Sequence, residues 1–437
     1  MFSKVAPRLR YLRQAQTIRL LGYNARYTLH PRSMATQSVV PLHSNSLGKK
    51  IFQVAGVVVG SLALAWYVYP RDKYPPSVNQ ILRKALWEEI KTENFKESAR
   101  YYKAALDECK KLQIDPLTDE YTGIEIKLAE MYEKMAMNAE AETVYIAMLN
   151  RFYEAICSEE DSSKKGKMLK RDLSIAAKVY EDPSSIEITP TRLNFLMSHI
   201  NLAQDEIMNR SPDLKKLVTQ PGSDHRTMDA ELNANVIPNI KEYARSFEPF
   251  KEEFFVVRDA YTEMCVAAKN TKAALDSKLL TIGWMVLADM PESAVLLSQA
   301  NLGSLFYLRG ESLESQLHAM KGKLDSGDTS VDKDALRKLQ GEHDFMMRTA
   351  SAYYDMIIQR ASLKKTKFPV GHSADRDALQ AVILSKHGLG VINVHNGKYV
   401  KGEEYLLEAK RMAQQYSMPE IVDVVDSELV KLNQVPH

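Results

Sequence analysis

The sequence predicts an all-α protein: antiparallel helix pairs stacked as a solenoid, preceded by one transmembrane helix and a leader that is disordered or cleaved. Three observations predict it. Gly (18) and Pro (17) together make up about 8% of 437 residues, where about 12% is usual, so turn-formers are too few for many short strands. Small residues and aromatics recur at the spacing of paired helices. A run of 19 residues near the N-terminus carries no charge. Hydrophobic residues at 45% and charged residues at 26% exclude a mainly disordered chain, and three cysteines exclude a disulfide-stapled scaffold.

Residues 1–50 hold nine Lys and Arg and no Asp or Glu; the first acid is Asp72. Arg8, Arg10, Arg13, Arg19, Arg26 and Arg32 alternate with Val5, Leu9, Leu12, Ile18, Leu20 and Leu21. An acid-free amphipathic cation is drawn by an inside-negative inner-membrane potential. The segment 1–50 therefore reads as a mitochondrial targeting leader and matrix-side segment, cut between Arg26 and Ala35. The rest of the chain carries 49 basic and 56 acidic residues. This mildly acidic body has no basic footprint with which to displace counterions from phosphates, so nucleic acid is not an expected partner.

Ile51 to Tyr69, IFQVAGVVVGSLALAWYVY, is the expected membrane span. At 1.5 Å per residue it reaches about 28 Å, the thickness of the hydrocarbon layer. Trp66, Tyr67 and Tyr69 fall where an interfacial aromatic belt belongs. Lys49 and Lys50 precede the span, whereas Asp72 offsets Arg71 and Lys73 behind it. This bias places the N-terminus in the matrix and the C-terminal domain in the intermembrane space, with a single pass through the mitochondrial inner membrane. Gly56 and Gly60 lie one turn apart and let a second helix approach the span closely. Residues 70–76 read as a linker, and 77–437 as the helical repeat domain.

The clearest periodic segment is Asp119 to Leu149. Leu128, Ala129, Tyr132, Ala141 and Tyr145 stand at the spacing of a tetratricopeptide repeat, or TPR. Small residues are needed where two antiparallel helices cross, and aromatics fill the gap to the next pair. An earlier copy has Leu82, Ala85, Leu86 and Ile90 as the apolar face of its first helix. Its second helix carries Phe95, Ser98, Tyr102, Ala105 and Leu106. Further copies place Leu302, Gly303, Phe306, Gly310 and Ser315, and then Leu389, Gly390, Gly397, Tyr399 and Ala409, at repeat positions. Leu173 to Tyr180, Leu193 to Met208 and Phe254 to Ala288 are predicted helical without a secure register. Ser158–Lys167, Glu181–Pro190, Ser211–Arg226 and Asp325–Asp334 are predicted loops. Isolated repeats cannot bury both faces, so the stack should be one cooperative domain.

No chemistry emerges. The sequence has neither a GxxxxGK[ST] loop nor HExxH, and Gly388-Leu389-Gly390 meets Asn393 where a dinucleotide fingerprint needs glycine. That triplet reads instead as a helix crossing. Cys109, Cys157 and Cys265 are too far apart in sequence for a paired-cysteine motif. His387 and His395 are eight apart, and no third ligand is apparent near them. The expectation is a protein that is not an enzyme, with no catalytic residue, cofactor or metal.

A solenoid without chemistry binds proteins along its concave face, built from first helices. By repeat position this face includes Ile126, Lys127 and Glu130; Ala300, Ser304 and Tyr307; and His387 and Val391. The set is mixed and partly apolar. It lacks the Lys and Asn combination that grips a C-terminal carboxylate, and suits extended or partly unfolded segments.

Three longer stretches carry a family resemblance: YPPSVNQILRKAL from Tyr74, DPLTDEYTGIEIKLAEMYEKM from Asp115, and WMVLADMPESAVLLSQANLGSLFYLRGE from Trp284. In them the chain resembles the TPR-containing adaptor subunit of the i-AAA protease of the fungal mitochondrial inner membrane, the Mgr-type family. The resemblance implies a non-catalytic partner of an AAA metalloprotease. It would work beside a second adaptor, binding misfolded or unassembled intermembrane-space proteins and presenting them for degradation. ATP and zinc would belong to the protease. An alternative stays open: a TPR-type assembly factor for a respiratory-chain complex shares every compositional feature. An outer-membrane import receptor would lack the Arg-rich leader and carry a basic carboxylate clamp.

Overall fold

A computed structural model describes residues 74–180, 188–219, 240–326, 332–363 and 375–433. The leader, the expected span with Gly56 and Gly60, and most of the linker lie outside the described residues. Among the described residues every regular element is a helix. No described helix is long and apolar enough to cross a membrane.

Two compact units divide at Ala155. The first contains α1 (Pro76–Ile90), α2 (Phe95–Lys111), α3 (Asp119–Lys134) and most of α4 (Asn138–Ser158). The second contains α5 (Ser162–Val179), α6 (Pro190–Arg210), α7 (Pro212–Thr219), α8 (Ile240–Arg245), α9 (Lys251–Ala267) and α10 (Thr271–Leu287). It continues with α11 (Glu292–Asp325), α12 (Lys333–Leu363), α13 (Arg376–His395), α14 (Tyr399–Gln415) and α15 (Pro419–Asn433).

The short turns share one design. Gln113, Ala136, Lys269, Asp289, Gly397 and Ser417 each follow a helix with φ between 50° and 75°. In each turn the next residue's N–H donates to a carbonyl five residues back, as in Ile114 to Cys109, Met137 to Tyr132, Asn270 to Cys265 and Met418 to Ala413. This closes the orphan carbonyls of the helix end and reverses the chain. Caps then restart the helices. Asn94 accepts from the Glu97 N–H at 3.2 Å, Thr118 from Tyr121 at 3.4 Å, and Asn270 from Ala273 at 3.1 Å.

In the first unit Val78, Leu82 and Ala85 of α1 meet Tyr102, Ala105 and Cys109 of α2 and Ile124, Leu128 and Met131 of α3. Ala129, Ala141 and Tyr145 are also buried, at the positions expected of a close helix crossing. Leu86 and Ile90 correct the sequence reading: they are 42% and 67% exposed. The buried face of α1 is Val78, Leu82, Ala85 and Glu89, and a charged residue completes it where an apolar one was expected.

In the second unit α11 packs against both α12 and α13, and α14 lies between α13 and α15. Tyr354 of α12 occupies the gap beside Gly303 of α11 and Gly388 of α13. A Cβ on Gly303 would lie 2.8 Å from its ring, and one on Gly388 would lie 2.3 Å away. Gly390 and Gly402 face each other across α13 and α14, where an added Cβ on Gly402 would be 3.0 Å from the Gly390 carbonyl. Gly388-Leu389-Gly390 is thus a helix crossing.

The copy starting at Asn301 keeps Gly303, Gly310 and Ser315 on one helix of 34 residues, α11. Gly310 is close to Met347, whose sulfur would lie 2.7 Å from an added Cβ. The predicted loop Ser158–Lys167 is helical from Ser162, where Asp161 caps α5. Pro212–Thr219 is likewise helical, and the break expected after Asp325 falls between α11 and α12.

Candidate protein-binding surface

On α3, Ile126, Lys127 and Glu130 are each partly exposed. Lys127 is already engaged: its Nζ donates to Glu130 at 2.8 Å and to Glu89 of α1 at 3.4 Å. Glu89 also accepts from Lys134 at 2.9 Å and from the Tyr102 hydroxyl at 2.8 Å. Burial opposes ionisation of Glu89, yet Lys134, Tyr102 and Lys127 together hold its carboxyl below the usual carboxylate range. Burial and the same carboxylate push the Tyr102 hydroxyl well up. The cluster ties α1, α2 and α3 together.

In the second unit the structure separates the expected residues by depth. Ala300 is fully buried, packed with Leu296, Leu297, Ile357 and Ala381. His387 is buried on α13, where burial lowers its pKa more than Glu428 raises it. Neither reaches a surface ligand. Ser304, Tyr307 and Val391 are partly exposed. The Ser304 hydroxyl is 2.9 Å from that of Tyr354. Burial and then Glu311 push the Tyr307 hydroxyl well above its ordinary pKa. Because α11 and α13 pack side by side, these three residues form the accessible remainder of the face expected in this unit.

Sequence reasoning missed the charges buried in α5, α6, α9 and α10. Asp172 accepts from His199 Nδ1 at 2.8 Å with both side chains 1% exposed or less. Arg258 donates to Thr281 at 3.0 Å and to Gln204 at 2.8 Å; burial lowers its pKa to about 10. Lys278 donates to Asp259 at 2.6 Å. Glu263 is raised to about 8 by burial and then by Asp259, with Lys278 opposing. Beside them Phe247, Phe254, Phe255 and Trp284 pack with ring centroids 5.3 to 6.1 Å apart. Sealed pairs of this kind order helices; Asp172 and His199 are out of reach of any substrate.

Tightly turned helix pairs without a strand among the described residues define an all-helical scaffold. The comparisons with known proteins agree with the family resemblance seen in the sequence. The family described as "MGR3 middle domain" matches residues 157–290, which cover the buried-charge helices α5 to α10. The chain is 36% identical over 392 residues, 83% of this chain and 77% of the relative, to the "Mitochondrial inner membrane i-AAA protease supercomplex subunit MGR3" of Saccharomyces cerevisiae. It is 32% identical over 423 residues, 91% of each chain, to "Protein MRG3-like" of the same yeast. The chain belongs to the MGR3 family.

Proposed function

We propose that this protein is a non-catalytic adaptor of a mitochondrial inner-membrane i-AAA protease. The observation that carries the reading is 36% identity over 392 residues to a relative named as a subunit of that supercomplex. In this reading residues 1–50 are the leader and matrix-side segment, 51–69 cross the inner membrane once, and 70–76 link the span to a TPR-like solenoid over 77–437. The solenoid faces the intermembrane space, binds misfolded or unassembled proteins, and presents them to the metalloprotease beside a second adaptor. Gly56 and Gly60 supply the close helix contact in the membrane. Ser304, Tyr307 and Val391, with Ile126, Lys127 and Glu130 of the first unit, are the accessible candidates for client contact.

The test is mass spectrometry of partners recovered with the tagged full chain from mitochondria in mild detergent. Dominant recovery of an AAA metalloprotease is expected, and Gly56→Leu with Gly60→Leu should reduce it about ten-fold or more if close packing is worth about 1.4 kcal/mol. Recovery of a single respiratory complex without the protease would overturn the adaptor reading in favour of an assembly factor.

A further inference from the structure

His395, for which the sequence showed no third ligand beside His387, meets two residues far from it in the chain. Glu314 lies on α11, His343 on α12, and His395 is the last residue of α13. One carboxylate oxygen of Glu314 and one ring nitrogen from each histidine all lie within 4.8 Å of one another. Glu314 Oε2 is 3.4 Å from His395 Nε2. On the other side, Glu314 Oε1 is 3.6 Å from Nε2 of His318, one turn further along α11.

The second observation concerns His343. Its Nδ1 is 3.0 Å from Asp344 Oδ1, an oxygen that also accepts from Gln340 at 2.9 Å. That bond places the proton on Nδ1 and leaves a lone pair on Nε2. His343 Nε2 is buried and makes no hydrogen bond, which is costly for a polar atom. A carboxylate that holds one imidazole nitrogen and leaves the other to bind is the usual outer arrangement of a metal-binding histidine.

We propose that Glu314, His343 and His395 bind a divalent transition-metal ion of the zinc class, with water taking the fourth position. Two imidazoles and one carboxylate, completed by water, are a donor set that zinc accepts at about 2.0–2.2 Å in tetrahedral geometry. Closing from the present separations is a matter of side-chain rotation, chiefly at His395, which is exposed at the end of α13. The ion ties the end of α13 to interior turns of α11 and α12, and is a structural clasp. His387, on the same helix as His395 but buried in another environment, takes no part.

The experiment uses the full chain in mild detergent, stripped by a chelator and titrated with zinc chloride by calorimetry, then with cobalt chloride by visible absorption. The expected result is one saturable zinc site, cobalt bands of a tetrahedral nitrogen and oxygen site without thiolate charge transfer, and a melting temperature that rises with zinc. His343→Gln and His395→Gln should each weaken binding at least ten-fold, and Asp344→Asn about ten-fold through loss of orientation. His387→Gln should leave binding unchanged. Should His343→Gln fail to fold, His395→Gln, at an accessible helix end, decides the matter. Absence of a saturable site, thiolate bands, or zinc binding equal in His395→Gln and the unsubstituted chain would overturn the proposal.

Discussion

The middle helices and the C-terminal helices of the second unit solve the same packing problem by opposite means. From α11 to α14 the helices approach because side chains are missing. Gly303 and Gly388 admit the Tyr354 ring from both sides, and Gly390 meets Gly402 backbone to backbone. From α5 to α10 they approach around charges that are present and paired: Asp172 with His199, Lys278 with Asp259, and Arg258 with Thr281 and Gln204. Glycine crossings are forgiving of chemistry and strict about volume. Buried pairs are strict about chemistry, because either member left alone is an uncompensated polar group in low dielectric.

The largest expected effect breaks the middle region. Asp172→Ala strands His199 in the core and should cost about 3–5 kcal/mol in denaturant unfolding. Replacing both members by leucine should recover most of that loss, since the pair owes its cost to desolvation. A double variant as unstable as the single one would show that the pair contributes more than mutual compensation.

Glu263 sharpens the same point with a pH dependence. Its folded pKa of about 8 stands above the ordinary value of about 4.3, so the native state binds the extra proton between the two. Stability is therefore highest below about pH 4.3 as far as this group is concerned, and falls as pH rises to about 8. Glu263→Gln should remove that slope. It should stabilise the protein at pH 8 on the order of a few kcal/mol, with no gain near pH 4. Melting curves across this range read the difference.

Gly388→Ala tests the other region. In a free helix alanine would stabilise by about 1 kcal/mol; here its Cβ meets the Tyr354 ring at 2.3 Å, and Gly303 holds the opposite edge. The expected outcome is a loss of about 1–3 kcal/mol, reduced when Tyr354→Leu provides room. Additive effects in that double-mutant cycle would refute the crossing as the cause. The smallest effect is that of Tyr354→Phe, which keeps the ring and removes the 2.9 Å contact with Ser304. It should cost about 1 kcal/mol.

Legibility followed the same division. Gly390, Gly397 and Ala409 were readable as a helix, a turn and a second helix, because a crossing requires a small residue at a fixed spacing. Asp172, Arg258 and Lys278 looked like any solvated charge, because nothing local distinguishes a paired buried charge from an exposed one. Leu86 and Ile90 misled for the converse reason: an apolar residue shows a face on which it can be buried, and Glu89 with Tyr102, Lys127 and Lys134 occupied that face instead. Of the expected binding residues, depth separated Ala300 and His387 from Ser304, Tyr307 and Val391, and depth depends on neighbours contributed by other helices.

By itself the sequence determined the helical class, the position of most helices, the glycine crossings and the kinship with the MGR3 family, because these rest on spacing within one helix or on words within one segment. Tertiary structure alone decided that Ala300 and His387 are buried, that Asp172 finds His199, and that Glu314, His343 and His395 come together from three helices. Each of these depends on pairing between elements distant along the chain, and such pairing leaves no local period to read.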